Sequence, residues 1–236
     1  MIKTAVIIAG GEGSRLRPLT DNLPKALAPL NGQPMLFWVI RWLKEQGVNR
    51  IVLGVAYRKE KIYEFMNQHD NFGLQVSFSE HTLEGGTAQG FKLAITRYVH
   101  DDRFIAMNCD EITNLRIGHM ASVQQETNPL IVMALAPFHC RFSVVDVDEK
   151  GLISGFQYGK KIPNALVSIG IYIFSAEVAG LIPDTGSIED ALFARLAQEG
   201  RIAAYQLNGH EEWISVNDIK NVKEAETFLN RMYAAE

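Results

Sequence analysis

Cysteine is scarce in these 236 residues: there are two, Cys109 and Cys140, far apart and without C-x-x-C spacing. That excludes a disulfide framework and offers no zinc-ligand pattern, leaving reduced thiols as the expectation. Positive charge is not in excess either. Twenty-three Lys and Arg against 27 Asp and Glu leave a net charge of -4, which argues against a nucleic-acid binder, since such a protein needs a basic face to displace counterions. No apolar run approaches the length of a bilayer crossing. Met1-Ile2-Lys3 leads straight into a short apolar stretch without a signal-peptide pattern. No membrane partner is expected, and the cytoplasm is the expected location. No linker-like shift in composition interrupts the chain, so a single domain over 1–236 is expected. Its 47% hydrophobic and 21% charged residues suffice for a full core. A homodimer stays open.

What the chain does have is concentrated near its start. Ala5 to Ala9 is a short apolar run that reads as a buried strand, and it ends in Gly10-Gly11-Glu12-Gly13-Ser14-Arg15-Leu16-Arg17-Pro18-Leu19-Thr20, with Pro24-Lys25-Ala26 following. Glycines let the main chain adopt conformations a side chain forbids and approach a ligand closely. Successive N–H groups in such a turn can point inward on an anion. Arg15, Arg17 and Lys25 place three cations behind it, which suits a polyanion such as a triphosphate. Two familiar phosphate motifs do not fit. There is no G-x-x-x-x-G-K-[ST], and Gly11-x-Gly13 lacks the third glycine of a dinucleotide fingerprint.

Over its whole length the stretch resembles the signature of the sugar-1-phosphate nucleotidyltransferases, G-G-x-G-[ST]-R-L-x-P-[LM]-T followed by P-K. The resemblance implies a three-layer, Rossmann-like (GT-A-like) α/β fold, with a mixed, mainly parallel sheet flanked by helices. It also implies nucleotide binding by Ala9, Gly10, Gly11, Gly13 and Ser14.

The rest of the chain agrees with an α/β reading. Pro34 to Gln46 is apolar at helical spacing and ends at Gly47. Arg50 to Val55 is a β-rich run, Arg58 to His69 reads as a helix and Leu74 to Phe78 as a strand. Strand, helix and strand in this order begin a parallel sheet. Glu80-His81-Thr82-Leu83-Glu84-Gly85-Gly86-Thr87-Ala88 precedes a helix over about 87–99. Gly85-Gly86 gives a backbone free to lie against a flat ligand, and Glu80 can accept two hydrogen bonds from an edge such as guanine N1–H and its 2-amino group. The alternative is a strand-turn-helix junction with an exposed Glu. In the family this segment, E-x-x-L-G-T-[AG]-G, lines the base; here Glu84 stands where glycine is usual.

Arg103 to Met107 reads as the next buried strand and runs into Asn108-Cys109-Asp110-Glu111. A carboxylate at the carboxyl end of a parallel strand sits where open α/β sheets bind ligands; its alternative is a cap on the following turn. The resemblance assigns Asp110 to a catalytic Mg²⁺, with Cys109 where the family has glycine. Runs at 130–136, 142–147 and 151–156 have no helices between them and suggest an antiparallel extension carrying the acceptor site. Lys160-Lys161 and Val167 to Phe174 resemble the family's sugar-phosphate segments, implying a phosphate-binding role for Lys160 or Lys161 and roles for Ser168 and Gly170, although a surface lysine pair is more often simply solvated. Ser187-Ile188-Glu189-Asp190 is a capping box opening a helix to Gly200, 201–207 reads as a strand, and a helix closes the chain over about 219–233.

Glu212-Trp213-Ile214-Ser215-Val216-Asn217-Asp218 resembles the family's W-x-D segment, but Ser215 stands where a second metal-binding Asp is expected. Asp218 or Glu212 could supply the missing carboxylate, or one protein carboxylate could suffice. The resemblance implies attack of a sugar-1-phosphate oxygen on the α-phosphorus of an NTP with release of pyrophosphate. Arg15, Lys25 and Asp110 would be the catalytic set. P-K-A-L-A-P-L and Glu80 favour GTP and a product like those of heptose- or mannose-1-phosphate guanylyltransferases. A uridylyl or cytidylyl transfer, or a catalytically silent regulator that binds nucleotide sugars, are the alternatives.

Overall fold

The apolar run at the head of the chain is strand β1, Thr4–Ile8, wholly buried, and a seven-stranded sheet is assembled around it. The architecture comes from a computed structural model that describes residues 2–140, 142–159 and 161–234. After the glycine-rich loop a small hairpin, β2 (Pro29–Leu30) and β3 (Gln33–Pro34), leads into α1, Met35–Glu45. Then come β4 (Arg50–Val55), α2 (Lys59–Gln68), β5 (Gln75–Glu80), α3 (Gly86–Tyr98) and β6 (Arg103–Asn108). Next are the short strand β7 (Glu111–Thr113), α4 (Ile117–Thr127) and β8 (Ile131–His139). A separate hairpin, β9 (Ser143–Val147) with β10 (Ile153–Tyr158), precedes the long β11, Lys161–Ser175. The chain finishes with α5 (Ala194–Gln198), β12 (Ile202–Gln206), β13 (Trp213–Ser215) and α6 (Ile219–Met232).

The sheet order is β12-β8-β11-β6-β1-β4-β5. β6, β1, β4 and β5 run parallel. β11 is antiparallel to both β6 and β8, and β12 is parallel to β8, so the sheet is mixed and mainly parallel. Alternation along the strands sends side chains to two cores. Ala5, Ile7, Ile105 and Met107 join one with Leu36, Ile40 and Leu43 of α1, Ile62 and Met66 of α2, and Phe228 and Leu229 of α6. Val6, Ile8, Phe104 and Ala106 join the other with Phe91 and Ile95 of α3 and Leu192, Phe193 and Leu196 near α5. The period of two in a strand divides the apolar residues between the two faces, giving helix, sheet and helix layers.

The observed helices and sheet strands lie within a few residues of the expected ones. The longest revision is β11, which begins at Lys161 rather than near Val167. Before α5 the chain winds as a π-helix, Glu189–Phe193, and the Ser187 hydroxyl takes the Asp190 N–H at 3.1 Å as the capping box requires. Not foreseen were the β2–β3 hairpin, α4, and the antiparallel pair β7–β13, in which Ser215 lies opposite Glu111.

Candidate active site

The site lies at the carboxyl ends of β1 and β6, the two central neighbours of the sheet. Cys109 continues β6 with its N–H on the Ile8 carbonyl at 3.1 Å. Its side chain is buried in the core, and burial first, then the Asp110 charge, pushes its thiol pKa far up. It is a packing residue that brings Asp110 to the rim.

The glycine-rich loop is held from below and open above. Ala9 donates its N–H to the Gly54 carbonyl at 2.7 Å, and Gly10 takes the Tyr57 N–H at 3.1 Å. A Cβ on Gly10 would lie 2.7 Å from Nε2 of His81 and 2.9 Å from Cβ of Ala56, so only glycine fits there. Gly13 has φ +70° and accepts the Thr20 hydroxyl at 2.7 Å on its carbonyl, while Gly11 accepts the Lys25 N–H at 3.0 Å. These bonds fix the loop through its carbonyls. Among the described residues, no acceptor takes the N–H groups of Gly11, Glu12, Gly13 or Ser14. A row of exposed, unused donors is the equipment of an anion cradle.

The cations meet beside it. Lys25 Nζ pairs with Oδ2 of Asp110 and donates to Oδ1 of Asn217 at 2.8 Å. Arg15 Nη2 donates to the same Asn217 oxygen at 2.9 Å. The side chains of Lys25 and Asp110 are 15% and 14% exposed, sheltered enough for their interaction to exceed that of a surface pair and open enough for a ligand to reach them. Arg17 is not part of the cluster; it lies in the open, 3.8 Å from Asp21.

Ser215 presents no charge to the cluster. Its hydroxyl accepts Nδ2 of Asn217 at 2.7 Å and donates to Oε1 of Glu111 at 3.3 Å. Trp213 Nε1 donates to the other Glu111 oxygen at 2.5 Å. Burial, then the neighbouring Asp110 charge, drives the Glu111 carboxyl well above the usual carboxylate range. Asp218 caps α6, accepting the Asn221 N–H at 3.0 Å. Glu212 pairs with Arg231 at 2.6 Å on the surface. Glu111 is thus the carboxyl group beside Ser215, and both its oxygens are engaged. Among the described residues no group of three His, Cys, Asp or Glu side chains could hold a metal alone. Asp110, a single carboxylate at the rim, fits a hard ion whose other ligands are phosphate oxygens and water.

The remaining expected residues are not gathered into this cluster. Glu80, at the end of the edge strand β5, binds Lys59 Nζ and the Tyr63 hydroxyl, the latter at 3.0 Å. These bonds, Lys59 first, hold its carboxyl below the usual range. Burial and then the Glu80 contact push the Tyr63 hydroxyl up to about 12. The Gly85-Gly86 turn is fastened to the chain before α5. Gly186 donates its N–H to the Gly85 carbonyl at 2.9 Å and accepts the Ala88 N–H at 3.0 Å. A Cβ on Gly86 would lie 2.5 Å from the Gly186 oxygen. That glycine is needed for a backbone contact within the protein, besides any contact with a ligand. Ser168 is exposed, its hydroxyl 3.3 Å from that of Tyr172. Gly170, with φ +71°, packs on Glu111 and Asn108. Lys160 lies outside the described residues.

Three residues beside the site had no role in the sequence reading. Asn217 and Glu111 belong to segments whose importance was visible, yet a half-buried amide and a buried carboxyl placed by tertiary contacts carry no spacing signal of their own. His81 forms the floor under Gly10. Its Nδ1 is buried without a partner among the described residues, and burial lowers its pKa.

Residues 4–231 match the nucleotidyl transferase family, and the chain belongs to it. Mannose-1-phosphate guanyltransferase of Yarrowia lipolytica is 31% identical over 92% of this chain and 61% of its own length. UTP–glucose-1-phosphate uridylyltransferase of Synechocystis is 27% identical over 94% of this chain and 62% of its own. The chain therefore spans about three fifths of these two relatives, whereas it covers 96% of the probable glucose-1-phosphate cytidylyltransferase of Bacillus subtilis, at 25% identity. Among solved structures, HddC from Yersinia pseudotuberculosis superposes with a TM-score of 0.76 at 22% identity, covering 97% of this chain and 100% of that one. At that identity the likeness is one of fold.

Proposed function

We propose that the protein transfers a nucleotidyl group from an NTP to a sugar 1-phosphate, with GTP as the favoured donor and a heptose or hexose 1-phosphate as acceptor. The observation that carries the reading is the convergence of Arg15, Lys25 and Asp110 beside unused N–H groups of the glycine loop. A sugar-phosphate oxygen attacks the α-phosphorus. The bond from that phosphorus to the bridging oxygen breaks, and pyrophosphate leaves with the electron pair. Such a transfer needs alignment and charge neutralisation more than proton transfer. Arg15 and the loop N–H groups receive the charge of the departing pyrophosphate, and Lys25 receives that of the α-phosphate. Asp110, together with oxygens of the nucleotide, would hold Mg²⁺, which when bound neutralises phosphate charge. Lys160, Ser168 and Gly170 are proposed for the acceptor side, and Glu80 with Gly85 and Gly86 for the base.

Guanine is favoured by Glu80, whose ionised carboxyl can exchange its Lys59 and Tyr63 contacts for the donor edge of that base. The named relatives include uridylyl, cytidylyl and guanylyl enzymes, so UTP and CTP are the competing donors. A silent regulator is favoured by one observation, the uncharged Ser215 beside a Glu111 whose carboxyl is pushed by burial well above the usual range. The deciding experiment measures pyrophosphate release from the four NTPs against heptose, mannose and glucose 1-phosphates. GTP is expected to give the highest kcat/KM, with Glu80→Gln narrowing its lead. Asp110→Asn is expected to abolish release while the fold persists. Release from no pair, with folded protein and Mg²⁺ present, selects the regulator.

A further inference from the structure

The two cations that flank the glycine loop share one acceptor. Oδ1 of Asn217 takes Lys25 Nζ at 2.8 Å and Arg15 Nη2 at 2.9 Å, joining residues 192 and 202 positions away in the chain. The orientation of the carboxamide follows from its neighbours. Lys and Arg can only donate, so the side facing them is the oxygen, and the nitrogen faces the Ser215 hydroxyl at 2.7 Å. With its lone pair so occupied, that hydroxyl gives its proton to Glu111. Glu111 is anchored in turn by Trp213. The amide is therefore held from the buried side by a directional series of bonds, and its oxygen is presented at the rim.

Two like charges beside one another repel, and long flexible side chains lose entropy when ordered. A shared acceptor offsets both effects. Asn217 is neutral and gathers the two without itself cancelling their charge: Lys25 keeps its pairing with Asp110, and Arg15 keeps its full charge for an incoming anion. We infer that Asn217 is a positioning residue that yokes Arg15 and Lys25 so that they engage one triphosphate together. The inference rests on the transferase reading only in naming a triphosphate as the anion.

The test uses the whole protein and inorganic triphosphate as the probe, with binding followed by calorimetry and stability by thermal melting. Asn217→Ala is expected to weaken binding about tenfold, the loss of hydrogen bonds to charged groups. Arg15→Ala, made in the Asn217→Ala background, is expected to add much less than it does in the wild type, because the amide acts through that arginine. Such non-additivity identifies coupled groups, and a role confined to supporting the fold would not produce it. Asn217→Asp keeps the shape but puts a negative charge against the cations, so it is expected to weaken binding, and, since it gives up the Nδ2–H bond to Ser215, to melt no lower than Asn217→Ala. Wild-type affinity in either Asn217 variant, or strictly additive effects of Arg15→Ala and Asn217→Ala, overturns the inference. If the wild type binds triphosphate with the expected coupling yet releases pyrophosphate from no substrate pair, the yoke stands and the transferase reading falls.

Discussion

Lys25→Ala and Arg15→Ala separate what a cation does for the reaction from what it does for the fold. From sequence alone both substitutions are expected to spare stability, since their partners would be charges that build up during transfer. The structure divides them. Lys25 already has a partner, Asp110, and the two side chains are about 85% buried. Removing the ammonium leaves a sheltered carboxylate unpaired. The loss lies between the roughly 0–1 kcal/mol of an exposed pair and the roughly 3–5 kcal/mol of a buried one, at about 2–3 kcal/mol. In a chain of this length each kcal/mol moves Tm by about 2–4 °C, so Lys25→Ala is expected to melt about 4–12 °C lower. Arg15 is exposed and gives one hydrogen bond, to Asn217, so Arg15→Ala is expected to shift Tm by less than about 2 °C. Both are expected to lower kcat about 10²-fold or more, the usual effect of removing a donor aimed at developing charge. Scanning fluorimetry and pyrophosphate release on the same samples give the comparison, and Asp110→Asn in the Lys25→Ala background should recover part of the lost stability. A Lys25→Ala protein that melts with the wild type refutes the ground-state pairing. Equal Tm losses for the two variants refute the division of labour.

Two predictions concern stability, and one concerns the metal. Gly170→Ala is expected to cost about 2–4 kcal/mol in chemical denaturation, because φ is +71° there and the new Cβ would lie 2.8 Å from Oε1 of Glu111; wild-type stability would remove Gly170 from the support of Glu111. Burial pushes the Glu211 carboxyl up, but the Arg116 and Asn208 N–H groups and the Tyr205 hydroxyl outweigh it and leave the pKa below the ordinary 4.5. A carboxyl depressed in this way stabilises the fold above its unfolded value, and that stability is lost as pH falls through the folded one. Glu211→Gln should therefore be less stable than wild type by about 1–3 kcal/mol in neutral urea melts, with the two proteins converging in acid; a constant gap across pH would refute it. Ser215→Asp, which adds a carboxylate beside Asn217, is expected to lower the Mg²⁺ concentration for half-maximal rate; no change would mean that position 215 does not face the metal.

The fold was largely legible because its signals are local. The 3.6-residue spacing in α1 and the apolar runs of β1, β4 and β6 determine their structure with little help from elsewhere. Helix α4 was missed because its sequence, Ile117–Thr127, carries a weak apolar stripe between polar residues. The pair β7–β13 was missed because three-residue strands have no period to read. At the site, the glycine loop, Arg15 and Lys25 stand out through a contiguous motif, and Asp110 through its place at the end of the apolar run of β6. Asn217 and Glu111 acquire their surroundings only when β13 is laid beside β7, and nothing in the order of residues announces that pairing. Glu80 illustrates the converse: its residue type was suggestive, while its partners, Lys59 and Tyr63, come from α2.

The yoke at Asn217 also bears on when the protein becomes competent during its own synthesis. Its bonds close loops of 192 and 202 residues, contacts that reward the chain only after most of the sheet exists, and such non-local contacts form late. A nascent chain displaying residues 4–108 could bury the parallel half of the sheet and expose the glycine loop while Arg15 and Lys25 still lack their common acceptor. The two cations would then be gathered under their common acceptor only at the last stage of folding, once the segment following β13 is in place.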